Sequence, residues 1–420
     1  MTKTTLPSIN TTVCIVGGGP AGMMLAYLLA RQGIDVTLLE AQRDFDRKFR
    51  GDTLHLSILE NIGQLGLMPK LDALPHTKIT QMVNVVNGER QVMGDLSRLK
   101  NRPYPYMMMV AQPLVLQLLA DEAATYPNFR LIMGASVQGL IEDGEIVRGV
   151  RYRQGRESGE VNASLTVGCD GRGSKVRREG GFDLLPLADP MEVLWITIAK
   201  SEAERAQGLG SSFGSEGMFI THERVEAWHI GLPLPQGGYA QLKALGIDHL
   251  RRLLCDAKPY MRDRIEAQVQ SWRDVAVLKV QSGRVKRWFK SGLLLIGDAA
   301  HVMSPILGVG INYAVQDAVA ASNILAPTLL KTGAADLPQL HKVQQRRQLP
   351  VSIIQRMQAR IQGGLQVPTL ADGESAELIG SARSPLAKIP FLRAFASQMG
   401  LKMVAIGFRP EKVQLTRSEW

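Results

Sequence analysis

The chain has 420 residues, 45% of them hydrophobic and 21% charged, with a net charge of +10. This is the balance of a globular protein with core enough for two or three domains, and it excludes a disordered or fibrous chain. Cys14, Cys169 and Cys255 make neither a disulfide framework nor a metal-ligand spacing, no apolar run is long enough to cross a bilayer, and "MTKTTLPSIN" has no signal-peptide core, so a cytoplasmic protein is expected.

The first elements form a βαβ unit. In "TTVCIVGGGPAGMMLAYLLARQGIDVTLLEAQR" a strand, Val13 to Val16, turns at once on Gly17, Gly19 and Gly22. A helix carrying Leu25, Leu28 and Leu29 follows, then a second strand, Val36 to Leu39, that ends at Glu40. The G-x-G-x-x-G spacing with an acid after the second strand is the pattern of a dinucleotide site. Gly17 permits the tight turn, Gly19 lets the backbone approach a pyrophosphate, and Gly22 lets the helix pack closely with its N-terminal amides toward the phosphates. Glu40 accepts from ribose hydroxyls. The unit by itself leaves NAD and FAD both open.

Further along, "SILENIGQLG" reads as a short helix with Ser57 and Glu60 as a capping box and Gly66 as its stop. "ASLTVGCDGRGSKVRREGG" holds a strand, Leu165 to Val167, then Asp170-Gly171, with Ser174 placed to cap a helix bearing Lys175, Arg177 and Arg178. An ordinary strand-to-helix turn would look the same. "GMFITHERVEAWHIGLPLPQGG" reads as a β-hairpin with a polar turn at Glu223 to Glu226 and a second strand reaching Pro233. Alternation puts His229 and Trp228 on opposite faces of that strand, while the face of His222 depends on the turn.

"GDAAHVMSPILGVGIN" follows the apolar run Leu293 to Ile296. Asp298 sits where a strand stops and reaches a ribitol or ribose hydroxyl. Pro305 stiffens the loop, and Gly308 and Gly310 remove side chains so that a flat ring can lie against the backbone. A helix starting near Asn312, with Ala314, Val315, Ala318 and Val319 on one face, points its positive end at that ring. The segment is read as a flavin cradle.

From residue 331 onward thirteen Lys/Arg face six Asp/Glu, so most of the net charge lies in the tail. There Phe391, Phe395, Met399, Met403 and Ile406 recur at helical steps, with Arg393, Lys402, Arg409 and Lys412 among or beyond them. Two readings stand: a helix docked on the core, or an interfacial helix touching an anionic membrane. Nucleic acid is not an expected partner.

Three motifs in this order and at these separations resemble the class A flavoprotein monooxygenases, the p-hydroxybenzoate hydroxylase-like FAD-dependent aromatic hydroxylases. Gly17, Gly19, Gly22 and Glu40 match the family's dinucleotide motif. Asp170 and Gly171 match its Asp-Gly motif, linked to FAD and to the nicotinamide cofactor. Gly297, Asp298, Pro305, Gly308, Gly310 and Asn312 match its Gly-Asp motif. Arg50 in "FRGDT" and Gln112, heading a helix, match positions that approach the flavin in that family.

The resemblance implies an α/β fold: a Rossmann-like FAD-binding domain, a mostly β-sheet substrate domain and a C-terminal helical region. The FAD domain would be discontinuous, 1–76, 105–184 and 284–330; the substrate domain would be 77–104 and 185–283, and the helical region 331–420. It further implies FAD as cofactor and NAD(P)H and O2 as co-substrates. An aromatic or quinoid, fairly apolar small molecule would be hydroxylated through a flavin hydroperoxide. By analogy with the family's strand ending in proline, His229 faces the substrate. Two alternatives remain: an FAD-dependent reductase of a polyprenyl-type substrate that does not use oxygen, and a non-catalytic FAD-containing binder.

Overall fold

The apolar run before the first glycine turn does form a strand, Ile9–Val16, and it lies at the centre of the largest sheet. A computed structural model describes residues 6–46, 52–86, 89–99, 101–201, 219–363, 400 and 402–416. Ile9–Val16 pairs in parallel with Val36–Glu40 on one side and Glu157–Gly168 on the other. Phe129–Met133 and Leu293–Leu295 extend the parallel register outward. Strands Ala135–Asp143 and Ile146–Gln154 continue from Glu157–Gly168 as an antiparallel meander.

Both faces of this sheet are covered, as its near-continuous apolar strands require. Val13, Ile15 and Leu38 pack with the helix Pro20–Ala30 and the long helix Gly310–Thr332. Cys14, Val16 and Leu39 face the other way, into a cluster holding Trp288 and Tyr313. Pro20 begins the first helix, where its missing N–H costs nothing. All its remaining residues are buried, and each large side chain such as Met24 or Leu28 contributes about 1.5–3 kcal/mol by burial.

Among the described residues a second, antiparallel sheet has the strand order Ile220–Glu223, Ala227–Pro235, Met191–Ala199, Val275–Val280. Alternation divides its faces. Leu194, Ile196, Ile198, Trp228 and Ile230 pack against the helices Ile247–Ala257 and Arg262–Gln268. Trp195 and His229 lie on the opposite face, toward the glycine turns. The hairpin turn is shorter than expected: Glu223 is still strand, and the second strand runs on to Pro235.

The expected capping box of the second helix is absent. The helix is Leu56–Gln64, its N-cap is His55, and no side chain caps it. Ser57 lies inside the first turn, and Glu60 instead pairs with Arg102 at 2.8 Å. A capping box does form elsewhere, where Asp336 and Gln339 start the helix Leu337–Gln362. Of the tail, Phe391, Arg393, Phe395 and Met399 lie outside the described residues. The described part is docked: Val404 and Ala405 are buried in core clusters, and Val413 and Leu415 pack on the parallel-sheet core. Among the described residues no helix is long and apolar enough to cross a membrane.

Candidate functional site

The C-terminal ends of the parallel strands, the loop 298–310 and the inner face of the antiparallel sheet surround one cavity of about 920 Å³. A crevice beyond the carboxyl ends of parallel strands is where open α/β sheets bind ligands. Gly17, Gly19, Glu40, Gln112, Asp170, Gly171, Asp298, Pro305, Gly308 and Gly310 all line it, as does His229. Residues far apart in sequence are therefore brought to one wall. Arg50 lies outside the described residues.

Close approach explains two of the glycines. Gly17 has φ +103°, and a Cβ there would lie 2.5 Å from the carbonyl oxygen of Cys169. A Cβ on Gly22 would lie 1.9 Å from the carbonyl oxygen of Gly17, so this glycine closes the turn onto the helix and does not reach the cavity. The Glu40 carboxylate is almost fully buried and accepts from the amides of Gly18 (2.7 Å) and Gln42 (2.9 Å). It thus shapes the glycine turn as well as lining the cavity.

The second motif is held by its own acid. Asp170 accepts from the Ser174 hydroxyl and from the amides of Lys175 (2.7 Å) and Val176 (3.0 Å). Ser174 in turn caps the helix Lys175–Glu179, accepting from the Arg177 amide at 2.9 Å. Arg177 is buried, and its guanidinium donates to the carbonyls of Asp298 (3.3 Å), Ala299 (3.1 Å) and Arg172 (2.6 Å). One arginine therefore ties the Asp-Gly motif to the Gly-Asp motif. Desolvation lowers its pKa, opposed by the nearby Asp170.

Asn312 departs from expectation. It is buried and does not line the cavity, because its Oδ1 accepts from the His55 amide at 3.0 Å and the side chain serves as a brace for that loop. The helix itself begins two residues earlier, at Gly310, and Gly310, Ile311 and Ala314 of its first turns line the cavity.

On the sheet side, His229 Nε2 lies 3.0 Å from Thr197 Oγ1, and its ring is 6.2 Å from that of Trp195. The backbone register sets His222 opposite His229. Two charged pairs at the cavity were not legible beforehand. Arg172 reaches Asp298 at 3.4 Å, and Arg224, from the hairpin turn, pairs with Asp52 across the cavity. Burial raises the Asp52 carboxyl above its ordinary range, against the opposing pull of Arg224. Asp52 stood within the quoted "FRGDT", but nothing in sequence pairs it with a turn residue 172 positions away.

The residues fit FAD. A cavity of this size joins a tight glycine turn, where a side chain would strike backbone, to helix N-terminal amides and the glycines of the 308–310 loop. Comparison with known proteins agrees. The family described as "FAD binding domain" matches residues 10–228 and 260–356. The 6-methylpretetramide 4-monooxygenase of Streptomyces rimosus is 36% identical over 325 residues, 76% of each chain. The rifampicin monooxygenase of Streptomyces venezuelae is 29% identical over 73% of this chain, a match spanning 62% of that protein's length. A solved structure of PqsL from Pseudomonas aeruginosa superposes with a TM-score of 0.71 at 21% identity, covering 85% of this chain and 97% of that one; it shares the fold. The three motifs, the cavity they enclose and these relatives place the chain in one family: it belongs to the class A flavoprotein monooxygenases, with FAD as cofactor.

Proposed function

We propose that the protein hydroxylates a flat, fairly apolar aromatic or quinoid molecule, using NAD(P)H and O2. One observation carries this reading: the three nucleotide motifs and the inner face of the antiparallel sheet line the same cavity. Bound FAD would supply the redox chemistry, taking hydride from NAD(P)H and transferring one atom of O2 to the substrate while the other leaves as water. The chain's own residues would do the rest. Gly17, Gly19 and the amides of the first helix would receive the pyrophosphate, Glu40 a ribose, and Asp298, oriented by Arg172, the ribityl chain. Residues 1–76, 105–184 and 284–330 would form the FAD-binding part, and 77–104 with 185–283 the substrate-binding part.

Met109, Trp195, Val277 and Leu278 give the substrate side an apolar wall that excludes water. His229 is the polar group we assign to the substrate. The Thr197 hydroxyl, 3.0 Å from Nε2, would orient the ring, and the imidazole would take the proton of a ring hydroxyl. The relatives' printed substrates, 6-methylpretetramide and rifampicin, support a polycyclic aromatic substrate here. The docked part of the tail supports a structural role for that segment over a membrane contact.

The test is a screen of polycyclic phenols and quinones for substrate-stimulated NAD(P)H oxidation by FAD-loaded protein under isotopically labelled O2. A product carrying one labelled oxygen is expected. A reduced product without label would make the protein a reductase, and ligand binding without turnover would make it a binder.

A further inference from the structure

The loop after Pro305 has an unusual backbone. Leu307 has φ +72° and Gly308 has φ +60°, so two successive residues are left-handed and one of them carries a side chain. Such a conformation persists only where its surroundings hold it. Ser304, Pro305 and Gly308 line the cavity, so whatever holds this turn also shapes the wall.

What holds it comes from the C-terminal helix, Leu337–Gln362. Gln358 Nε2 donates to the carbonyls of both Ser304 (2.8 Å) and Ile306 (2.7 Å), on either side of Pro305. One turn earlier, Gln355 Nε2 donates to the carbonyls of Val302 (3.2 Å) and Gly283 (3.1 Å). Three alternate carbonyls of the segment Val302 to Ile306 are thus gripped by two carboxamides on one helix face. Gln358 is 1% exposed and Gln355 is 3% exposed, so water does not substitute for either. Among the described residues Oε1 of each has no partner, a cost that an apolar core residue would avoid. Packing alone therefore does not account for glutamine at these positions; the need to grip carbonyls does.

We infer that Gln358 is a positioning residue for the cofactor: it holds the Pro305–Gly308 turn in the form that receives FAD. The inference rests on the FAD reading above. FAD-free wild type, Gln358→Leu and Gln344→Leu would be titrated with FAD while its fluorescence and visible absorbance are followed. Gln344, on the same helix, donates to the Lys286 carbonyl and accepts from the Trp288 amide, and it does not line the cavity. Gln358→Leu is expected to raise the FAD dissociation constant roughly tenfold, the equivalent of one hydrogen bond, and to change the shape of the visible flavin bands. Gln344→Leu should lower thermal stability but leave affinity and bands at wild-type values. Equal effects in the two variants, or wild-type binding by Gln358→Leu, would overturn the inference. If Gln358→Leu does not fold, Gln358→Met decides by the same readings. Hydrogen exchange at residues 306–308 in FAD-free protein tests the clamp without the cofactor: unchanged exchange in the Gln358 variant overturns it. Wild-type protein that takes up no FAD would instead overturn the cofactor reading.

Discussion

At Gly17 a single hydrogen atom decides whether the nucleotide turn exists. Its positive φ and the 2.5 Å approach of the Cys169 carbonyl leave no room for a methyl group. Gly17→Ala should cost about 1–3 kcal/mol in backbone strain and abolish FAD retention, checked by the flavin content of purified protein. Asp298 is a milder case. It sits at the cavity with Arg172 at 3.4 Å, and Asp298→Ala should weaken FAD binding by about 1.5–3 kcal/mol, the range for a hydrogen bond to a charged group. Unchanged affinity in a folded variant would leave Asp298 as a partner for Arg172 alone. His55 provides a pH signature. It is buried, its Nδ1 lies 2.8 Å from the Val404 carbonyl of the tail, and burial pulls its pKa down to about 4 from an ordinary 6.5. The unfolded chain then binds more protons than the folded one between those values. His55 thus contributes stability that is fully present above pH 6.5 and lost as pH falls toward 4. The loss should be about 3 kcal/mol by linkage, and His55→Asn, which keeps a donor for Val404, should not show it in urea unfolding at pH 7 and 4.5.

Helix ends show how local signals compete with tertiary ones. The S-x-x-E signature at Ser57 fails because the helix begins two residues earlier, with His55 as its N-cap, and Glu60 is drawn to Arg102. The Asp336–Gln339 box forms because the helix does start directly after Asp336, with Pro338 accommodated in its first turn. Asp336→Ala should cost about 1 kcal/mol, the usual value of an N-cap, measured as a shift of the unfolding midpoint. In the antiparallel sheet, alternation alone sends Trp228 to the helices and His229 to the cavity. One face of the strand packs on helices and the other borders the cavity, so period two separates them.

The whole molecule is joined by a buried ionic network beneath the Gly-Asp motif. The Asp317 carboxylate accepts from the Gly297 amide (3.0 Å), from Arg347 Nε (2.9 Å), and meets His301 Nε2 at 2.5 Å. Arg347 continues to Glu411 at 3.3 Å, in the docked tail. Burial pushes the Asp317 pKa up, but His301 and Arg347 outweigh it and hold the carboxyl below its ordinary range. Arg347→Met removes the central cation and leaves Asp317 and Glu411 without it. Destabilisation by about 3–5 kcal/mol is expected in urea unfolding, the cost of breaking a buried ion pair from one side, although Asp317 keeps His301 and Glu411 keeps Arg346. A change below 1 kcal/mol would mean that solvent or His301 compensates.

Local rules were enough for the elements that carry their own signals. The glycine turn, the strand ending at Glu40, the Ser174 cap and the turn after Leu295 each draw on residues within one βα unit, where sterics and hydrogen bonding act over a few positions. The family likeness rested on those same units and on their order. Tertiary structure alone decided the pairs that close the cavity: Arg224 on Asp52, Arg177 on the carbonyls of residues 298 and 299, and Gln358 on those of 304 and 306. It also turned Asn312 away from the cavity to brace His55. Periodicity shows which face of an element is buried, but not which distant polar group it meets. A glutamine in a helix reads as surface until a neighbouring segment presents carbonyls to it.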